Sequence, residues 1–531
     1  MKKVVSLLLS VLMLLSVFGT FSAYAQTETG TWGKDAENSG TWSLTDGVLT
    51  IEGVGECRGS GWNHEKQNGL TKNSSIKKII IGEGVTVLGE DIFMQYDGLK
   101  EVVFPESLTG IHEYAFYDCD NLEKADLPSH IEYVGVRAFR ECTALKKIEL
   151  PESLKNIYYA AFYDCHSATG KIVIPKNAKL GRLAFYNCDK ITEVRFEDGF
   201  YQEDYASVDK CFSKCDNLKK VYIPGSMKGM LLACFRDCPA LEEVKICEGV
   251  EYIGGISGSN ALEKITLPKS AKTISDFTRC PNLKSIKIQS KIEYFHGHSF
   301  LGCALKSIKF PYGADTIEQC AFGYDLVYNE SGDWIDVVPV KNFKVYGKKC
   351  KALTEYCKNS GFKFIDMYDV KNATVKGLGS KRYTGKAIKP SITVKLAGAT
   401  LKKDTGYTVK YTNNTKVGTA KVTIKGKGKY KGTLEKTFKI NPKPTELKKV
   451  TAGKKSFKAY LKKQDVKTYQ LQYSTYKSFK NGKKITVKAT AKTVKDLKSN
   501  KKYYVRVRTY KTIKGVKYYS KWCEAKTVKT K

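Results

Sequence analysis

The chain has 531 residues, with 90 Lys+Arg against 54 Asp+Glu and a formal net charge of +36. That length excludes a single hydrophobic core, so several domains are expected. The charge is split: residues 370–531 hold 46 Lys+Arg against 6 Asp+Glu, a net of +40, whereas residues 1–369 hold 44 against 48, a net of −4. So sharp a break marks a boundary. The basic part should be drawn to polyanions, and salt should weaken the attraction. Solubility is the alternative, because lysines on a sheet surface also block edge-to-edge pairing.

Residues 1–25 read as a secretory signal. Lys2 and Lys3 give a positive start, Val4 to Phe18 is almost unbroken apolar, and Ala23-Tyr24-Ala25 places small residues where a signal peptidase needs them. Cleavage is expected before Gln26. The apolar run falls short of the ~20 residues a spanning helix needs, which weighs against an uncleaved anchor. No other stretch is long and apolar enough to cross a bilayer.

An internal repeat fills residues 76–345. Ala115-Phe116-Tyr117-Asp118-Cys119 recurs as Ala138-Phe139-Arg140-Glu141-Cys142, as Ala161-Phe162-Tyr163-Asp164-Cys165 and as Ala184-Phe185-Tyr186-Asn187-Cys188. Weaker copies put Phe212, Phe235, Phe277, Phe300 and Phe322 in the same slot, and an earlier copy has Phe93 with Tyr96 in place of the cysteine. The step is 23 residues from Phe93 through Phe185, 27 from Phe185 to Phe212, and 42 from Phe235 to Phe277, which leaves room for one degenerate coil near Ile256. A second phrase is clearest in Leu145-Lys146-Lys147-Ile148-Glu149-Leu150-Pro151. Its alternation predicts a short half-buried strand, closed by a proline that has no N–H to donate. No coil can bury its own apolar face, so stacked neighbours must supply the core.

The A-F-x-x-C…L-x-x-I-x-L-P pattern resembles the BspA-type leucine-rich repeats of bacterial surface proteins. Residues 26–75, with Trp42, Leu44 and Gly47-Val48-Leu49-Thr50-Ile51, are similar to the β-structured N-terminal cap of such proteins. Residues 346–369, with Ala352, Tyr356 and Phe362, resemble their C-terminal cap, a short helix followed by a last strand. The expected fold is mainly β: a leucine-rich-repeat solenoid of about eleven coils, then two small β-sandwich domains.

Sixteen cysteines in an exported chain would suggest disulfides. Eight of them, from Cys119 to Cys303, occupy the repeat's own cysteine slot, where a small apolar side chain suits a tight buried turn. A column of reduced thiols is expected, with Cys211–Cys234 and Cys350–Cys357 as candidate pairs. No C-x-x-C occurs and the slots lie one coil apart, so no metal site is expected.

In residues 370–442, Tyr383-Thr384-Gly385-Lys386, Tyr407 to Tyr411 and Val417 to Ile424 are short runs broken by Gly and Asn. They predict a basic β-sandwich that resembles the Ig-like modules of clostridial surface proteins. Gly426-Lys427-Gly428-Lys429-Tyr430-Lys431-Gly432 lacks the spacing of a phosphate loop and is expected to be a hairpin. Residues 443–531 resemble a fibronectin type III module. Tyr469 to Ser474 fits its strand C, Tyr503 to Arg508 its strand F, Tyr503 its tyrosine-corner position and Tyr518 to Trp522 its last strand. The core Trp of strand B appears as Tyr460.

Chemistry is sparse. His296 and His298 are the one close histidine pair, with no third ligand nearby in sequence. No G-x-S-x-G elbow, H-E-x-x-H or glycine-rich nucleotide loop occurs. No catalytic residue, metal or cofactor is assigned, and the chain is expected not to be an enzyme. The solenoid strands should present a line of outward residues: Val103, Asp126, Glu149, Val173, Arg195, Tyr222, Lys245, Thr266, Lys287 and Lys309. Its basic end, Arg195, Tyr222, Lys245, Lys287 and Lys309, is the candidate ligand face; an ordinary solvated sheet is the alternative. The insertion near residues 198–209 offers Phe200, Tyr201 and Tyr205, which could instead pack beneath the loop. The acidic segment from Tyr324 to Val338, with Trp334, is a third candidate.

Together these readings imply a secreted or cell-wall-associated, non-catalytic, adhesin-like binding protein, expected as a monomer. Its solenoid would contact a host or community protein or glycan, and its basic modules would hold it at an anionic cell-wall polymer. No L-P-x-T-G motif occurs in the sequence, so retention falls to the basic charge. The alternatives are a carbohydrate-binding or wall-structural protein, which needs exposed aromatics such as Tyr473, Tyr476, Tyr510 and Tyr519, or an accessory part of an extracellular enzyme system. Nucleic acid is not expected as a partner, because Arg506 and Arg508 are nearly the only arginines in the basic part and base readout favours Arg.

Overall fold

The computed structural model describes residues 27–33, 37–58, 75–202, 209–230 and 233–531. The signal peptide expected at residues 1–25 lies outside the described residues. The chain divides between Phe364 and Ile365 into two compact units, a few residues before the expected boundary at 370.

In the first unit, Glu28–Gly33, Ser39–Thr45 and Val48–Cys57 form an antiparallel cap. Trp42, Leu44, Leu49 and Ile51 line its buried side. Strand Val48–Cys57 then pairs in parallel with both Lys78–Ile81 and Val85–Leu88. Two ladders start there. One runs through Glu101–Val103 to Lys124–Ala125, resumes at Gly170–Ile174, and continues through Ile191–Phe196 and Lys220–Ile223 to Glu243–Ile246. The other takes Gly110–Ile111, Tyr133–Val134, Asn156–Ile157 and Lys179–Leu180, then restarts at Tyr252–Ile253 and runs to Ala314–Ile317. The result is a β-solenoid of about twelve turns, against about eleven expected.

One expected strand is absent as a ladder element. Residues 145–150 carry no strand, although Leu145 and Ile148 are buried between exposed lysines. Coil-to-coil bonds from Lys146 N to Glu123 O and from Thr169 N to Lys146 O, at 3.1 and 3.0 Å, hold this stretch in place of a continuous ladder.

The repeat's phenylalanines form the spine of the core. Phe116, Phe139, Phe162, Phe185 and Phe212 stack with ring centroids 5.0–5.4 Å apart and planes within 10°. That spacing follows the ~4.8 Å separation of paired strands, so parallel coils bring equivalent rings into stacking distance. Ile256 is buried and takes the phenylalanine slot of the degenerate coil: Cys280 bonds to its carbonyl at 3.3 Å.

Each A-F turn is bracketed by two residues with positive φ, such as Tyr114 and Asp118, or Arg137 and Glu141. A non-glycine residue there costs roughly 1 kcal/mol. Bonds to the next coil offset that cost: Tyr114 N, Phe116 N and Asp118 N donate to Val136 O, Ala138 O and Arg140 O at 2.8–2.9 Å. At the inserted coil the second ladder lacks a strand, and a side chain fills in. Gln202 is buried, accepts from Leu180 N at 3.1 Å through Oε1 and donates to Leu180 O at 3.0 Å through Nε2.

The far end closes with strand Lys344–Gly347, helix Lys351–Asn359 and strand Lys363–Asp366. Tyr356 on the helix seals the last turn. Its hydroxyl donates to Phe322 O at 2.6 Å and accepts from Phe322 N at 3.0 Å, so both groups left without a next coil are satisfied.

The second unit contains two small β domains. In the first, a sheet of Thr374–Lys376, Thr393–Leu396 and Ala399–Thr400 accompanies one of Lys381–Arg382, Thr433–Asn441, Gly418–Gly426 and Tyr407–Thr412, over Val394, Leu396, Val422 and Ile424. The glycine–lysine run is the expected hairpin: Lys425 faces Thr433 across it. In the second, Leu447–Gly453, Ser456–Leu461 and Ala491–Val494 form one sheet. Lys483–Val487, Thr468–Ser474, Lys502–Ile513, Val516–Tyr519 and Lys526–Lys529 form the other. Phe457, Leu471, Val505 and Val507 fill the space between. Tyr460 does not take a core role. Phe457, Ala459 and Leu461 point inward and Tyr460 outward, its ring flanked by Lys449 and Lys458 at 4.9 and 5.2 Å. The expected last strand is broken at residues 520–525, which carry Trp522.

Candidate interaction surfaces

Parallel register places the outward strand residues in a row. Val173, Arg195, Tyr222 and Lys245 are direct neighbours across four adjacent strands. The Tyr222 ring is flanked by two cations, the Arg195 guanidinium at 4.3 Å and the Lys245 ammonium at 5.0 Å. Its hydroxyl donates to Asp198 at 2.9 Å, and Arg195 lies 3.8 Å from the same carboxylate. Hydrogen bonding to Cys247 and to Asp198 holds the Tyr222 phenol protonated, well above its usual range. Tyr222 therefore presents a fixed aromatic edge between two positive charges.

The other two expected positions are exposed but fall outside this row. Lys287 faces Thr266 in a separate two-stranded sheet, and Lys309 faces Tyr346 in the sheet at the cap. The insertion divides as well. Phe200 is fully buried, its ring 5.0 Å from Phe196. It is a core residue, so the ligand role expected of it does not hold. Its carbonyl anchors the loop by accepting from Ser226 Oγ at 2.7 Å. Tyr201 is 52% exposed, and Tyr205 lies outside the described residues.

A second surface went unread in the sequence. At Tyr117, Arg140, Tyr163 and Tyr186 the first x of A-F-x-x-C is partly exposed and stacks on its own copies, whereas the next coil buries Ser213 in that slot and meets the stack with Lys214 from the second x. Arg140 lies 5.8 Å from the Tyr117 ring and 4.6 Å from the Tyr163 ring, Tyr163 stacks on Tyr186 at 4.9 Å, and Lys214 lies 5.7 Å from Tyr186. The signal was the run of Tyr and Arg at that one slot in successive coils.

The basic unit carries an ordered stack of its own. Phe479, Arg506, Trp522, Arg508 and Tyr519 alternate ring and guanidinium at 3.8–4.7 Å. Gln472 and Gln470 each accept two hydrogen bonds, from Arg506 and Arg508 respectively, at 2.6–2.9 Å. Burial pulls both guanidinium values down. Of the aromatics named for a stacking role, Tyr473 and Tyr510 are buried, Tyr519 covers Arg508, and Tyr476 is exposed. Among the described residues no group of three or more His, Cys, Asp or Glu could hold a metal ion, and no helix is long and apolar enough to cross a membrane.

These features define a repeat protein that offers extended faces built from in-register residues. Residues 67–192, 160–276 and 207–327 match the model of the BspA type leucine rich repeat region, in six copies, and the β-solenoid is consistent with a leucine-rich-repeat fold. No curated protein matches the chain. Among solved structures, it is similar to a leucine-rich repeat protein from Eubacterium ventriosum, at 19% identity over 56% of this chain and 82% of that one, TM-score 0.35. It is similar to the pneumococcal vaccine antigen PcpA at 17% identity over 63% and 98%, TM-score 0.34. It is also similar to a leucine rich cell surface protein from Faecalibacterium prausnitzii, at 19% identity over 50% of this chain and 96% of that one, TM-score 0.23.

Proposed function

We propose that this chain is an exported, non-catalytic binding protein of a bacterial surface. The solenoid contacts a host or community protein or glycan through its outward rows, and the basic unit retains the chain at an anionic wall polymer. The observation that carries the reading is the charge imbalance of residues 370–531: six carboxylates cannot neutralise 46 cations, and the ion pairs found there, such as Lys421–Glu435 and Lys462–Glu446, are few. An anionic polymer supplies the missing counter-charge. The resemblance of the second unit to Ig-like and fibronectin type III modules belongs to the same reading. It is supported by the Tyr503 hydroxyl, which accepts from Lys498 N at 3.2 Å, as a tyrosine corner requires.

The test is sedimentation of the chain from residue 26 onward with purified Gram-positive cell walls across a salt series, before and after teichoic-acid removal. Pelleting at low salt, with release by salt and by teichoic-acid removal, is the expected result. A chain that stays in the supernatant at low salt ends the retention reading.

A further inference from the structure

The strands Tyr324–Tyr328 and Trp334–Pro339 form an antiparallel hairpin set into the end of the solenoid, between the last coil and the cap. Its base is packed: Leu326 lies against Gly302, and Tyr324 is 5.4 Å from Phe362. Its outer part is not. Tyr328, Trp334, Ile335 and Val338 are 43–61% exposed, and they are four of the eleven large apolar residues exposed among the described residues. Trp334 touches only the His298 ring edge-on, at 6.0 Å, among aromatic neighbours. The two strands pair with each other alone, so outer strand edges are left open. A two-stranded sheet with an open edge and a large apolar surface is the form that accepts an added strand.

Charge selects the occupant. Residues 311–340 contain six carboxylates and no Lys, Arg or His, in a chain whose net charge is +36. Elsewhere in the solenoid, carboxylates pair with a lysine one coil on: Glu101–Lys124 at 3.1 Å, Glu132–Lys155 at 2.7 Å and Glu263–Lys284 at 3.0 Å. In the hairpin, Asp325 and Asp336 accept only from the backbone N–H of the next residue, and Asp333 from Asn329. None of Asp325, Glu330, Asp333 and Asp336 has a cationic partner among the described residues. Carboxylates left unpaired beside exposed aromatic faces suit ammonium and guanidinium groups, which pair with the first and stack on the second.

We infer that this hairpin is a docking site for an extended Lys- or Arg-rich segment of another protein, added as a strand with its cations over Trp334 and between the four carboxylates. The site is separate from the outward strand row and does not depend on wall retention.

Titration calorimetry of the whole chain with an alternating Lys–Val decapeptide tests it, with a Glu–Val decapeptide as the charge-reversed probe. The Lys–Val peptide should bind with an affinity that salt weakens. Trp334→Ala, and separately the combined Asp325→Asn, Glu330→Gln, Asp333→Asn and Asp336→Asn variant, should each weaken binding at least tenfold. The Glu–Val peptide, attracted to the basic unit, should bind wild-type and variant chains alike. No binding of the Lys–Val peptide, or equal binding to wild type and both variants, overturns the inference. So does self-association that the four-carboxylate variant abolishes, because the occupant would then be a second copy of this chain. Wall sedimentation of the same variants should match wild type, which separates a failure here from a failure of the retention reading.

Discussion

Cys142 donates its thiol proton to the carbonyl of Phe116, one coil back, at 3.1 Å. The same bond recurs from Cys119 to Phe93, Cys165 to Phe139, Cys188 to Phe162, Cys215 to Phe185, Cys238 to Phe212 and Cys303 to Phe277, at 3.1–3.4 Å. The cysteine slot is thus a column of buried donors, each capping a turn carbonyl of the coil before it.

Burial pushes Cys119, Cys142 and Cys165 up, Cys119 to about 12 and the other two well above the ordinary value of 9.0. The folded state therefore binds the proton more tightly than the unfolded state. The stability this contributes is complete below pH 9 and is lost as pH rises toward the folded value, at about 1.4 kcal/mol per pH unit for each thiol. The urea midpoint should fall between pH 9 and pH 11, and a Cys119→Ala/Cys142→Ala chain should show a shallower fall. Equal slopes would remove the thiols as the cause.

Phe139 stacks between Phe116 and Phe162 and is almost wholly buried. Phe139→Ala should cost about 3–5 kcal/mol, because a coil gripped from both sides cannot close over the cavity. Hydrogen exchange should show protection lost first in the coils around residues 116–162, with the cap strand Val48–Cys57 retaining its own, since coils answer mainly to their neighbours.

Gln202 makes two bonds to Leu180 where the ladder lacks a strand. Gln202→Leu keeps the volume and leaves the Leu180 N–H and C=O unpaired, at a cost of about 2–4 kcal/mol. Limited proteolysis should cut the insertion faster in this variant, while cleavage elsewhere stays unchanged.

Trp522 separates two guanidinium groups that would otherwise face each other. Trp522→Ala removes two cation–π contacts and exposes Arg506 to Arg508, for a loss of about 2–3 kcal/mol. High salt should restore part of that loss by screening the two charges, and Trp522→Phe should fall between. Thermal unfolding followed by near-ultraviolet circular dichroism reads both effects.

Much of this architecture was legible because the repeat writes the same instruction many times. The Phe and Cys slots and the degenerate coil at Ile256 sit where the spacing put them, whereas the helix bearing Tyr356 was expected only from the resemblance to a C-terminal cap. The second ladder was not legible. Its strands, such as Gly110–Ile111 and Asn156–Ile157, are two residues long, too short for an alternation of period two to appear. Phe200 was misread because an aromatic in an insertion looks the same whether it faces solvent or core. Tyr460 was misplaced by one residue of strand register, and one residue turns a side chain to the other face. The row at Arg195, Tyr222 and Lys245 was legible as positions. Its internal bonding through Asp198 was not, because Asp198 reaches it from beyond the strand end.

Strand Val48–Cys57 is the shared edge from which both parallel ladders grow. A chain threaded across a membrane with its amino end leading would deliver this edge before any coil that needs it. Each later coil would then meet a ready template, and the solenoid could zip up in the order of its arrival, with no long wait for a distant partner and no lengthy exposure of unpaired strands to other chains.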